Sequence, residues 1–292
     1  MMPHMQQRIL SPILSMLLLS GCGVQTIAIR STEAVVDYGL EAINEESDLK
    51  LAEQSIASNL KLLEGLLKGD PENNHLLLLA SRGYGSYALG FVEDDSLERA
   101  RMFYLRARDY ALKILRQDEQ FSQVWDKDLE SFQQALSAFG ADDVPAVFWA
   151  ANAWGNYIRL NLTDPAAIAD LPKVEALLKF VLASEEPYFY GSTHLALGIL
   201  LASRPKILGG DPEKGREHFE RCIEIMKGKF LLAYLYYAKT YAVQTQNKEL
   251  YVNLLHKVEE ASLDVLPEQR LANAIAKQKG RRLMAKLSEY FE

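Results

Sequence analysis

Three segments of this chain space a small residue, an aromatic ring and a second small residue identically: Ala100, Tyr104 and Ala107; Ala176, Phe180 and Ala183; Gly215, Phe219 and Cys222. Steps of four and three residues put all three side chains on one face of a helix. Small residues let a neighbouring helix come close, and the ring fills the gap left between the two. Weaker copies stand at Ala135 with Phe139 and at Leu250 with Leu254. The first positions of the five copies, 100, 135, 176, 215 and 250, lie 35, 41, 39 and 35 residues apart. That is close to the ~34-residue period of arrays whose units are pairs of antiparallel helices, with insertions.

The expected class is all-α, a tetratricopeptide-like superhelix of helical hairpins. Ile56, Leu60, Leu63 and Leu67 mark one apolar helix face, and Gly69 and Pro71 end it. No run alternates with the period of a strand. Two second helices carry start signals: Asp95-Ser96-Leu97-Glu98, and Asp211-Pro212-Glu213 with an Asp cap and proline at the first helical position. Between the helices of one hairpin stands SRPKILGGDPEKG, residues 203–215. Gly198 and Gly215 are 17 residues apart, where a standard repeat has about 12. Arg204, Pro205, Gly209, Gly210 and Asp211 thus belong either to a lengthened turn or to a projecting element that meets a partner.

The first residues follow a different logic. After a single Arg8 comes ILSPILSMLLLS, an apolar run of about a dozen residues, too short to cross a bilayer and suited to a signal peptide. It ends in Leu19-Ser20-Gly21-Cys22, which resembles the lipobox of bacterial lipoproteins. Residues 1–21 are expected to be removed, Cys22 to be acylated, residues 22–30 to form a lipidated linker, and 31–292 to form one helical domain. Each buried acyl methylene contributes roughly 0.8 kcal/mol, so several chains on one residue anchor the protein durably. Gly23 is not the aspartate associated with inner-membrane retention, which favours the outer membrane. Cys222 is then the one remaining thiol, and no internal disulfide is expected.

A formal charge of −7 with no basic stripe argues against nucleic acid as a partner. The histidines at 4, 75, 194, 218 and 256 show no metal-ligand spacing, and His218 reads as a surface residue. The pairs Asp94-Asp95, Asp142-Asp143 and Glu185-Glu186 sit where carboxylates cap helices. No nucleophile, base and orienting group stand at readable positions, so neither an enzyme nor a cofactor is expected. Ligand-lining candidates come from the first helix of each hairpin, the concave side of such a superhelix. They are Tyr84 and Tyr87; Trp149, Asn152, Asn156 and Tyr157; His194; and Tyr234, Tyr237, Lys239 and Tyr241. Asn152 and Asn156 share a face in a helix rich in aromatic residues, a mixture typical of small-molecule sites and also of polar bridges between helices.

The lipobox followed by helices, together with YALGFVEDDSLERARMFYLRARDYAL, DDVPAVFWAANAWGNYI and GSTHLALGILLASRPKILGGDPEKGREHFE, resembles the T-component lipoproteins of TRAP (tripartite ATP-independent periplasmic) transporters. These stretches cover about Tyr87 to Glu220 in the family's order. The resemblance implies a non-enzymatic periplasmic lipoprotein that self-associates as a trimer, docks the transporter's solute-binding P-component, and holds a small apolar ligand in a pore or cleft. Cys222 where the repeat more often has alanine, Gly215 inside a helix, and a faint repeat over the last forty residues depart from the pattern. The competing expectation is a general envelope lipoprotein that captures peptides in an open groove. An aromatic-lined cavity closed at its sides would favour the first reading.

Overall fold

Most helices begin where an Asp, Asn or Ser precedes an apolar-periodic run and its side chain accepts a backbone N–H of the first turn. Asp48 accepts from Lys50 and Leu51, Asn73 from Leu76, Ser96 from Arg99, Asp211 from Lys214 and Asn247 from Leu250. The computed structural model describes residues 26–291, so Cys22 and the leader lie outside the described residues. Among these residues there is helix and no strand.

The helices are α1 (Glu33–Asn44), α2 (Leu49–Gly69), α3 (Asn74–Tyr87), α4 (Leu97–Leu115), α5 (Glu119–Val124), α6 (Leu129–Leu136), α7 (Val144–Arg159), α8 (Pro165–Ala169), α9 (Leu171–Ser184), α10 (Tyr188–Ala202), α11 (Pro212–Ile225), α12 (Leu231–Tyr237), α13 (Lys248–Glu260), α14 (Arg270–Ala285) and α15 (Leu287–Tyr290). A single π turn prolongs α3 over Ala88–Val92, and another prolongs α12 over Ala238–Ala242. Helices α3 and α4, α7 and α9, α10 and α11, and α12 and α13 pack as hairpins.

The small–aromatic–small face does the packing in two of the three strong copies. Ala100, Tyr104 and Ala107 are fully buried, as are Phe219 and Cys222, with Gly215 against Ala202. Burial pushes the Cys222 thiol up to about 12, which leaves it an inert core residue. The third copy is displaced. In α9 Ala176 is buried together with Val174, Leu177, Leu178 and Val181, whereas Phe180 is partly covered and Ala183 is exposed. The Val and Leu side chains offer more apolar area than Ala183, and burial scales with that area. The copy at 135 is not a repeat unit, because α6 is a short helix beside α5 and Phe139 lies beyond its end, packed on Phe121 at 5.3 Å.

The inner helices α3, α7, α10, α12 and α14 follow one another around a common axis, with α4, α9, α11 and α13 outside. The array then closes on itself. Helix α14 packs against α1 and α2, Arg270 Nη1 donates to the Glu45 carbonyl at 3.0 Å, and Lys279 Nζ meets Asp94 at 2.7 Å. Gly90 allows this approach, since a Cβ there would stand 2.8 Å from Ile275.

The lengthened loop is tightly built. Arg204 is 3 % exposed, donating from Nε to the Leu200 carbonyl and from Nη2 to Glu175. A Cβ on Gly210 would collide with the Arg204 carbonyl oxygen, and Gly209 has φ +77°. The turn Lys206–Leu208 between them leaves Ile207 92 % exposed.

Phe219 fills the contact between α10 and α11 against Gly198, within 3 Å of where a Cβ would stand. Phe219→Ala is expected to cost about 3–5 kcal/mol, read from the urea midpoint at constant m.

Candidate functional site

Each inner helix turns one stripe of side chains, spaced by three and four, toward the axis: Arg82, Ser86, Leu89 and Glu93; Trp149, Asn152, Asn156 and Arg159; Ser192, Leu195 and Ile199; Leu232, Tyr236 and Lys239; Ala272, Ile275 and Lys279. Along the axis these stripes change chemistry. At one end lies a cavity of about 110 Å³ with Arg82, Trp149, Asn152, Phe189, Leu195 and Ile275 among its walls. A smaller pocket lined by Leu89, Asn152, Asn156, Arg159 and Tyr236 follows it. At the other end a cavity of about 400 Å³ is lined by Asp94, Tyr236, Lys239, Lys279, Arg282 and Lys286.

Between the two ends sits an ionic cluster. Glu93, 4 % exposed, accepts from the Tyr104 hydroxyl at 2.8 Å and from Arg159 Nη2 at 2.5 Å, with Lys239 Nζ 3.5 Å away. Burial by itself would raise its carboxyl, but the charges of Arg159 and Lys239 outweigh that and hold it near 2. The Tyr236 hydroxyl is buried beside this cluster and has no hydrogen-bond partner among the described residues.

One wall of the apolar cavity is strained. Phe189, Tyr190 and Gly191 have φ of 42°, 63° and 66°, a left-handed turn at the start of α10. For the two non-glycine residues this costs roughly 1–2 kcal/mol each. Ring packing offsets it: Phe189 meets Trp149 edge-on at 4.9 Å, Tyr190 stacks on Phe230 at 5.6 Å, and the Tyr190 hydroxyl accepts from Gln269. The turn carries Phe189 across the cavity to face Arg82.

A ring of inner helices around such an axis is the setting for the comparison with known families. The sequence pattern of the TRAP transporter T-component matches residues 45–291, nearly the whole described chain. The chain belongs to this family. No curated protein matches it. The family is a transport component and not an enzyme family. Among the described residues no group of three His, Cys, Asp or Glu side chains could hold a metal, and no helix is long and apolar enough to cross a membrane.

The T-component cavity gathers only some of the residues that sequence reasoning singled out. Trp149 and Asn152 line it, and Asn156 lines the adjoining pocket, where its amide donates to the Asn152 carbonyl. Lys239 belongs to the ionic cluster and the cationic end. Tyr84 is buried on the side away from the axis, among Ile56, Leu60 and Ala107, and donates to Glu64, and Tyr87 packs on Phe91 and Phe103. Tyr157 packs among core residues. Tyr234 stands against Gly228, Tyr237 stacks on Phe219 and bonds Glu220, and Tyr241 bonds Glu213. Tyr84 follows Arg82 by two residues, His194 follows Ser192 by two, and Tyr234 follows Leu232 by two. Two residues rotate a helix position by about 200°, which carries each of these side chains to the opposite face.

Sequence reasoning passed over Arg82, Ser192, Leu195, Phe189 and the whole of α14. A 3–4 stripe through Arg82, Ser86, Leu89 and Glu93 was the available signal, and it becomes visible only when polar residues are followed as closely as aromatic ones.

His194 and His218 form a half-buried pair, so His218 is not the surface residue expected. Their Nδ1 atoms stand 2.8 Å apart, and His194 Nε2 is 3.2 Å from Glu186. One Nδ1 must accept, so the pair cannot hold both protons on that side. If His194 donates from Nε2 to Glu186, His218 donates from Nδ1 to His194. Burial, reinforced by His194, lowers His218 to about 4. An unfolded histidine titrates near ~6.5, so the unfolded chain takes the proton first. This contribution to stability is complete above about pH 6.5 and is lost as pH falls toward about 4. The urea midpoint is expected to drop between pH 7 and pH 4.5, and to drop less in His218→Gln measured side by side.

Proposed function

We propose that this T-component is a lipid-anchored periplasmic subunit of a TRAP-type uptake system, which docks the solute-binding protein and holds a small ligand with an apolar body in the axial cavity. The observation that carries the ligand half is the closure of the helical array: α14 returns to α1 and α2, so the cavity is walled on its sides and lined by Trp149, Phe189, Leu195 and Ile275. An open groove would suit an extended peptide, whereas a walled cavity suits a small molecule. Apolar cavities of roughly 150 Å³ accept benzene, so a cavity of about 110 Å³ takes an apolar body no larger than a single ring.

The docking half rests on family membership and on the loop tip. Arg204, Pro205, Gly209, Gly210 and Asp211 hold a rigid turn that presents Ile207, the most exposed large apolar side chain among the described residues. A rigid apolar tip loses little conformational freedom on binding. Acylation at Cys22 would keep the chain at the membrane, most consistent with the outer membrane, so that a modest intrinsic affinity suffices for docking at high local concentration. Self-association as a trimer belongs to the same reading.

Ala272 points into the cavity, and Ala272→Phe is expected to fill it. Thermal stabilisation of the chain by phenylacetamide, expected in the native protein, should disappear in that variant, while capture of a TRAP solute-binding protein from the same organism persists. Ile207→Asp should do the reverse, lowering capture about tenfold or more with ligand stabilisation intact. Equal capture by the native chain and by Ile207→Asp would remove the loop from the docking surface.

A further inference from the structure

Of the four cationic side chains on the inner stripes of α3, α7, α12 and α14, three are matched with acids: Arg159 and Lys239 with Glu93, and Lys279 with Asp94. Arg82 is not. Among the described residues its guanidinium has neither a hydrogen bond nor an ion pair, only two ring contacts, at 5.0 Å from the Phe189 centroid and 6.0 Å from Trp149. Asp37, the acid whose charge reaches it, is paired with His75 at 2.9 Å. Burial lowers the Arg82 pKa, in keeping with a guanidinium partly withdrawn from water.

Ring contacts do not satisfy an arginine. Stacking engages the face of the guanidinium and contributes roughly 0.5–2 kcal/mol, while five N–H donors project in its plane. Inside a walled cavity those donors cost free energy unless an acceptor meets them. The strained turn at Phe189 and Tyr190 holds the ring that orients this fork, and strain of this kind is retained where the surroundings require it.

We propose that the axial cavity takes a small monocarboxylate, its two oxygens on the Arg82 fork and its apolar body against Leu195, Leu271 and Ile275. The inference rests on the ligand-binding reading above and names the ligand's charge. A planar head with two oxygens and one unit of charge matches a guanidinium edge-on. A phosphate, carrying up to two charges, would call for a second cation, and Arg82 is the one cation on this cavity's walls. Ser192 and Asn152 supply neutral polar contacts nearby.

The test is calorimetric titration of the mature chain, purified without lipid as Cys22→Ser, with phenylacetate and hexanoate and with their uncharged amides. The acids should bind at least about tenfold more tightly than the amides. Arg82→Gln should abolish that preference while leaving amide binding in place, and Arg82→Lys should restore part of it. Acids and amides bound equally, or a preference that survives Arg82→Gln, would overturn the charge assignment and leave the cavity reading standing. Failure of all four probes to bind would overturn both. Circular dichroism melts of the two variants separate loss of binding from loss of fold.

Discussion

A single buried carboxylate organises this molecule. Glu93 stands at the end of the π turn after α3 and is reached by Tyr104 from α4, Arg159 from α7 and Lys239 from the π turn after α12. A carboxylate removed from water is tolerated only when its partners are close and its lone pairs are used, and this one draws on three other elements, the farthest 146 residues away in sequence. The neighbouring Asp94 extends the same logic to Lys279 on α14. Stacked hairpins contact only their neighbours in sequence and would otherwise form an open spiral. The Asp94–Lys279 pair, together with Leu271 and Ile275 packed among Ala52, Ile56 and Leu60, holds the last inner helix against the first hairpin.

Closure also divides the axis. Below the cluster the stripes are apolar and aromatic, with the lone cation Arg82; above it they carry Lys239, Lys279, Arg282 and Lys286 against Asp94. The departures from regular helix gather at the same axis: two π turns at the ends of α3 and α12, and three left-handed residues at the start of α10. Each widens or redirects an inner helix where side chains from several hairpins must meet, and such irregularities are common at functional sites. Three of the four outer helices, α4, α11 and α13, are capped by Ser, Asp and Asn, and α4 and α11 pack through small residues and rings.

Much of this was legible in the sequence. Helical class, hairpin stacking, the Ser96 and Asp211 caps, and the buried faces at Tyr104 and Phe219 all follow from interactions within about one turn, where periodicity and capping carry the information. Of the candidates taken from the first helices, Trp149 and Asn152 line the axial cavity. Tyr84, His194 and Tyr234 do not, because hydrophobic character marks buried faces and an inner helix buries two: one toward its hairpin partner and one toward the axis. The displaced copy at Ala176 and the false one at Ala135 arose in the same way, from a local pattern that a larger apolar face or a short helix overrode.

By itself, then, the sequence determined which segments are helical, where they start, and how neighbouring pairs interlock, since these depend on contacts near in the chain. Only the tertiary structure decided that the array closes, which face of each inner helix meets the axis, and that Arg82 has no paired acid among the described residues. Those outcomes depend on where residues far apart in the chain, such as Glu93, Arg159, Lys239 and Lys279, come to lie. No local spacing encodes the pairing of charges across a ring.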